Sequence, residues 1–95
     1  MAKTYELLFL PKARKEWNKL APAIRIQFAK ILSGRLENPR VPSAALHDMR
    51  DCCKIKLRDA GYRLVYRVED EEITVTMIVI GRRDEEVYET AVIRQ

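Results

Sequence analysis

The stretch from Asp51 to Val68, DCCKIKLRDAGYRLVYRV, limits the fold more tightly than any other part of the chain. In its first half Cys53, Ile55 and Leu57 alternate with Lys54, Lys56 and Arg58; in its second, Tyr62, Leu64, Tyr66 and Val68 alternate with Arg63, Val65 and Arg67. Such alternation is the period of a strand with one buried face, because successive side chains point to opposite sides. Between the runs, Arg58-Asp59-Ala60-Gly61 has turn chemistry, with a glycine free to take positive φ. The two runs therefore predict an antiparallel hairpin. Its register follows from the pattern, since paired residues share a face and a one-residue slip would mix apolar with cationic side chains. A two-residue loop at Asp59-Ala60 sets Leu57 opposite Tyr62, Ile55 opposite Leu64 and Lys56 opposite Arg63, with Lys54 next along. Like charges directly opposite cost stability. A hairpin that carries them faces screening solvent or holds an anionic ligand.

Ninety-five residues, 47% of them apolar, suit a single domain spanning residues 1–95. No apolar run approaches the length of a bilayer span, and the first residues lack the apolar core of a signal peptide, so a cytoplasmic protein without membrane contact is expected. Cys52 and Cys53 are adjacent and point to opposite faces of a strand; they match neither a disulfide framework nor a zinc spacing, and Cys53 is expected in the core. Charge is modest in sum, eighteen Lys and Arg against fourteen Asp and Glu, but unevenly placed. Residues 50–67 hold six cations and two anions, the run from Glu69 to Glu72 is wholly acidic, and the first 49 residues hold nine cations against four anions. This clustering fits an electrostatic footprint for a polyanion, and fits a solvated polar face equally well.

Thr4 to Leu10 reads as a strand closed by Pro11, which cannot continue a ladder. Pro11 suits the first turn of a helix whose apolar stripe is Ala13, Trp17 and Leu20. Ala21-Pro22 breaks that helix, and Ile24, Phe28, Ile31 or Leu32, and Leu36 mark a second one running to about Glu37, ahead of Asn38-Pro39. Outward basic residues, among them Arg14, Lys15, Arg25, Lys30 and Arg35, suit contact with a nucleic-acid backbone or plain solvation. Residues 39–49 are expected to loop over the helical layer. After the acidic turn, Ile73 to Ile80 is expected as a central strand with Ile73, Val75 and Met77 in the core and Thr74 and Thr76 on the cationic side. Asp84 is expected to cap a short helix from about Glu85 to Ile93, with Glu85 and Glu86 in its first turn. Its stripe would be Val87, Ala91 and Val92, with Tyr88 beside the Arg82-Arg83 corner.

This order predicts an α+β fold: a small, mostly antiparallel sheet, an N-terminal antiparallel helix pair on one face, and a short C-terminal helix. Trp17, Phe28, Ile55, Leu64, Tyr66 and Val75 are expected in the core. Lys54, Lys56, Arg63 and Arg67 would line a shallow concavity on the opposite face.

No Ser/His/Asp arrangement, Gly-rich phosphate loop or carboxylate pair stands out, and a single histidine excludes a two-histidine ribonuclease site. Catalysis would rest on Lys, Arg and Tyr. RNA offers a reaction suited to them, in-line attack of a 2′-OH on the adjacent phosphorus, if the hydroxyl is deprotonated and the phosphoryl charge stabilised. Lys54 and Lys56, two apart on one face beside Arg63, crowd one another, which disfavours the protonated form, so one of them suits a general base. Arg63 and Arg83 suit clamps on the phosphate, since arginine stays charged. Tyr88 suits orienting the nucleophile or stacking on a base. Each residue also has an ordinary reading: the lysines as a polar strand face, Arg83 as a counter-charge to the acidic helix start, Tyr88 as packing, and His47 as incidental in its loop. No cofactor is expected, nor a metal, because no carboxylate or His/Cys cluster offers a site.

DCCKIKLRDAGYRLVYRV, with GRRDEEVY downstream and the early KARKEWNKL helix, resembles the RelE toxins of bacterial and archaeal toxin-antitoxin pairs over nearly the whole chain. The resemblance implies an mRNA interferase that enters the A site of the 70S ribosome and cuts the exposed codon, leaving a 2′,3′-cyclic phosphate and a 5′-OH. It places the family's strand lysines on Lys54 and Lys56, its hairpin arginine on Arg63, its arginine after the last strand on Arg83 and its C-terminal tyrosine on Tyr88, with Arg58, Arg67, Arg82 and His47 as substrate-binding candidates. His47 stands where close relatives can have an arginine. The segment from Gly81 to Tyr88 looks one residue short, which leaves both Arg82 and Arg83 open for the site. The resemblance further implies a RelB-like antitoxin that wraps the toxin and can displace its last helix, contact of the basic helices with ribosomal RNA, and operator DNA bound only through the toxin-antitoxin complex. Two other functions remain open on this scaffold: a non-catalytic ParE-like inhibitor of DNA gyrase, and an RNA-binding module that does not cleave.

Overall fold

The computed structural model describes residues 4–94. They form an α+β fold in the order β1 (Glu6–Phe9), α1 (Pro11–Lys19), α2 (Pro22–Glu37), β2 (Cys52–Leu57), β3 (Tyr62–Glu69), β4 (Thr74–Arg82) and α3 (Val87–Arg94). The four strands lie in the order β1-β4-β3-β2. β2, β3 and β4 are antiparallel neighbours, while β1 runs parallel to β4. The sheet is therefore mixed, with the mostly antiparallel character that the alternating runs predict.

Proline opens both N-terminal helices, where a missing N–H costs nothing because the first turn has no partner for it. The helices bury Ala13, Leu20, Phe28 and Leu32 against Ile55, Leu64, Tyr66, Val75 and Met77 of the sheet. Trp17 bridges the layers, edge-on to Phe9 at 5.8 Å and tilted against Phe28 at 6.3 Å. Fully burying each large apolar side chain contributes about 1.5–3 kcal/mol, so this layer dominates the stability of the fold. Cys53 belongs to it, and Cys52 faces the other way.

The opposite face is only partly the open concavity that the charge pattern suggests. Met49, Cys52, Val65, Ile78, Val79, Val87 and Ala91 form a second buried cluster there, so α3 and the segment before β2 cover the middle of that face. The apolar end of β4 makes this possible through a bulge. Tyr66 pairs with Met77 and Val65 with Val79, leaving Ile78 as the extra residue. Ile78 and Val79 thus both feed the second cluster, and Ile80 returns to the helical side.

Residues 39–49 do not stay over the helical layer. Ala44 packs with the helix-side core, Ala45 bridges to Cys53 at the edge of β2, and Leu46 and Met49 pack on the far side. The segment wraps the sheet edge. Ile73 also departs from expectation: it sits outside the core at the end of the acidic turn with φ 55°. That left-handed conformation is strained for a β-branched residue, and it ends the turn so that Thr74 enters the ladder opposite Glu69. Arg40 closes this end of the molecule, donating to Asp70 at 2.8 Å and Asp51 at 2.9 Å, while the Tyr5 hydroxyl donates to Asp70 at 2.6 Å.

Candidate active site

The hairpin has the register its pattern predicts: Ile55 faces Leu64, Lys56 faces Arg63 and Leu57 faces Tyr62. Its loop is longer than expected, the four residues 58–61, closed by the Gly61 N–H on the Leu57 carbonyl at 2.8 Å. Gly61 takes φ 74°, a conformation that favours glycine there. Adding two residues to the loop leaves the pairing of the strands unchanged, because each strand gives up one residue.

Lys56 is exposed and lies between Lys54 on its own strand and Arg63 across the ladder. The Lys54 charge, then desolvation, then Arg63 and Arg58 hold its pKa below the ordinary lysine value. Arg63 is half-buried and lies between Lys56 on one side and Gly81 on the other, with its guanidinium donating to the Tyr62 carbonyl at 2.9 Å. The glycine neighbour lets Val87 and Glu85 approach the ladder beside Arg63. Arg67, farther along β3, is held by Glu69 at 2.9 Å, and Arg58 projects from the loop.

Lys54 is half-buried at the wall of a recess of about 360 Å³ that also includes Leu46, His47, Tyr88, Glu89 and Val92. His47 and Tyr88, far apart in sequence, meet the lysine here because the edge-wrapping segment and α3 converge on β2. The Tyr88 hydroxyl is shielded from solvent and has no hydrogen-bond partner. Leaving a buried hydroxyl unpaired costs about 1–3 kcal/mol.

Arg82 and Arg83 sit elsewhere, in a recess of about 540 Å³ at the hairpin loop, lined also by Asp59, Gly61, Tyr62 and Asp84. The two recesses have no residue in common, and Tyr88 lines the one that holds Lys54. Arg82 pairs with Tyr62 across the ladder, and the Tyr62 phenol, followed by Asp84 and Glu85, raises the arginine pKa. The Arg83 N–H donates to the Gly61 carbonyl at 2.7 Å, and its side chain runs over Gly61. Asp84 is not a helix cap. The helix starts at Val87, and the Glu85 carboxylate turns back to accept the Arg82 N–H at 2.8 Å. Gly81 permits this corner: a Cβ there would lie 3.2 Å from Val87 Cγ2 and 3.4 Å from Glu85 Oε1. Val87 and Ala91 form the buried stripe of α3, whereas Val92 is exposed.

One residue beneath the site departs from the sequence expectation. Arg35 is half-buried and not a solvated cation of α2; its Nη1 donates to the Lys54 carbonyl at 3.2 Å and to the Tyr66 hydroxyl at 2.8 Å. The Tyr66 hydroxyl in turn donates to the Pro39 carbonyl at 2.6 Å, and burial pushes its pKa up to about 12. The helical spacing held a signal, since Arg35 stands at i+7 from buried Phe28 and i+3 from buried Leu32.

A family model described as the ParE toxin of the type II toxin-antitoxin system parDE matches residues 7–87. The mRNA interferase toxin RelE of Escherichia coli strain K12 is 50% identical over 91 residues, covering 95% of this chain and 96% of that protein. A double mutant of E. coli RelE in the free state superposes with a TM-score of 0.88 at 47% identity, covering 97% of this chain and 98% of that one. The toxin of the intact E. coli RelBE toxin-antitoxin complex superposes with a TM-score of 0.82 at 47% identity, covering 85% and 99% respectively.

Proposed function

The chain belongs to the RelE/ParE family of type II toxins, as a RelE toxin, and on that premise we propose that it is a ribosome-dependent endoribonuclease cutting mRNA in the A site. The observation that carries the reading is the cationic hairpin itself: Lys56 directly opposite Arg63, with Lys54 beside it in a recess that also holds Tyr88. A cost of like charges built into the ladder is offset when a phosphate sits above it. The lysine pair supplies the general base that takes the 2′-OH proton. Lys56, whose proton is held less tightly, is the member we assign to it. The 2′-oxygen then bonds to phosphorus, the bond to the 5′-oxygen breaks and that oxygen takes a proton, giving a 2′,3′-cyclic phosphate and a 5′-OH.

Arg63 and Arg83 stabilise the charge that builds on the phosphoryl oxygens. Arg83 is favoured over Arg82 because its N–H is bonded to Gly61 and its side chain runs over the hairpin loop. Tyr88, which lines the recess beside Lys54, orients the nucleophile or stacks on a base, and His47, Arg58, Arg67 and Arg82 contribute substrate contacts. Cations take the part a metal plays elsewhere in phosphoryl transfer, so no metal is needed by the toxin. A RelB-like antitoxin holds the protein inactive, as the E. coli RelBE complex suggests by likeness, and no described helix is long and apolar enough to cross a membrane.

The test is primer extension on translating ribosomes with mapping of the ends. Discrete A-site cuts with cyclic-phosphate ends are expected. Inhibited DNA supercoiling without cuts would favour the gyrase-directed alternative suggested by the ParE family model, and RNA binding without new ends would reduce the chain to a binding module.

A further inference from the structure

We infer that Arg35 of α2 is a positioning residue for the active-site lysines, acting through the backbone of β2 from the opposite side of the sheet. The inference rests on the proposed role of the lysine hairpin and adds what fixes its depth.

β2 is an edge strand, paired by a ladder to β3 alone. An edge strand has outward carbonyls without ladder partners and can shift or twist unless something engages them. Two neighbouring outward carbonyls of β2 are taken. The Cys52 carbonyl accepts the Leu46 N–H at 3.0 Å, and the Lys54 carbonyl accepts the Arg35 guanidinium at 3.2 Å. The first bond comes from the edge-wrapping loop, and the second from a helix packed in the main core.

Arg35 is itself held. The same Nη1 donates to the Tyr66 hydroxyl at 2.8 Å, and that hydroxyl donates to the Pro39 carbonyl at 2.6 Å. Tyr66 is fully buried, faces Cys53 in the ladder, and so flanks the lysine's own backbone position. The Lys54 backbone is thus tied to the end of α2 through a charged, half-buried group, while its side chain projects on the other face beside Tyr88. Hydrogen bonds from charged donors are roughly twice as strong as neutral ones. Arg35 touches no recess at which substrate would bind among those containing the lysine or the two arginines.

The experiment compares wild type, Arg35→Met, Arg35→Lys and Tyr66→Phe in single-turnover cleavage of mRNA on stalled ribosomes, with amide exchange of the β2 residues read alongside. Misplacement of a reacting group by about 1 Å can cost about 100-fold. Arg35→Met and Tyr66→Phe are therefore expected to lower kcat by about 10- to 100-fold with KM and its salt dependence unchanged, to speed exchange in β2, and Arg35→Lys to restore part of the loss. A rise in KM with a shallower salt dependence at unchanged kcat would make Arg35 a ribosomal-RNA contact and overturn the inference. So would wild-type kcat in both variants. If Arg35→Met does not fold, Tyr66→Phe carries the test, since it keeps the buried ring and removes only the hydroxyl. Failure of the wild-type protein to cut at all would instead remove the endoribonuclease reading.

Discussion

The β2–β3 hairpin and the Gly81–Glu86 corner both carry arginines assigned to the same substrate, yet they are built on different principles. In the hairpin each cation is placed by a ladder between neighbours on two strands, and the alternation of residues specifies every pair from Cys52 opposite Arg67 to Leu57 opposite Tyr62. In the corner, placement depends on the bulge at Ile78, on Glu85 folding back to the Arg82 N–H, and on a backbone bond from Arg83 to Gly61. A ladder tolerates a change of loop length without moving its side chains, whereas a bulge moves every later side chain to the other face. The hairpin is the rigid half of the site and the corner the adjustable half.

The sharpest way to break that comparison is to remove the rigid half. Lys54→Ala with Lys56→Ala removes the assigned base and half the cationic patch, and cleavage on translating ribosomes is expected to fall by about 1,000-fold or more, the range of general-base loss. Folding should be retained, because deleting Lys56 relieves repulsion with Arg63. The wild-type rate should rise with pH: the crowding cations favour the neutral amine of Lys56, so the rise levels off below the ordinary lysine value. Lys56→Arg, permanently charged, should abolish that levelling, and an unchanged profile would move the base to another group.

A smaller effect is expected in the corner. Arg83→Ala should lower kcat by about 100-fold, as loss of one charge-stabilising donor does, while Arg82→Ala, at a residue that pairs with Tyr62 across the ladder and lacks the bond to the hairpin loop, should lower it less than about 10-fold. Equal losses would mean that the corner rearranges on binding, which its few anchoring bonds permit. The reverse order would put Arg82 in the site.

How much of this was legible before a structure follows the same division. Period-2 runs yielded the strands, the register and the side of each cysteine, because those depend on neighbours in sequence or on one partner strand. Asp84 was a reasonable cap by residue type, but Glu85 has the longer reach and the Gly81 backbone lets it approach, so the helix starts later. The position of Tyr88 needed the converging of α3 with residues 46–49, a meeting of distant segments that no local period encodes. Arg35 was hidden by its charge, although its helical phase pointed inward. Both Glu85 and Arg35 bond a backbone group through a polar side chain, which a hydrophobic period does not register.

The adjustable half also has one strong anchor, and removing it gives the smallest effect on the hairpin. Past Met77, β4 loses β1 as a neighbour because Pro11 turns the chain into α1, and the freed backbone groups at the bulge need partners. Glu16 of α1 accepts the Ile80 N–H at 3.1 Å, and Arg94 of α3 donates to the Ile78 carbonyl at 2.9 Å and to both Glu16 oxygens. With the arginine side chain only 15% exposed, this clasp is screened little by water. Arg94→Met keeps the apolar stem and removes the donors, and should cost about 2 kcal/mol. Amide exchange should quicken throughout α3 and at Ile78, while β2 and β3 keep their protection, since a segment opens locally when the bonds that hold it alone are removed. Loss of protection in the hairpin to the same degree would mean that the two halves open as one unit, and the division between a rigid ladder and an adjustable corner would fail.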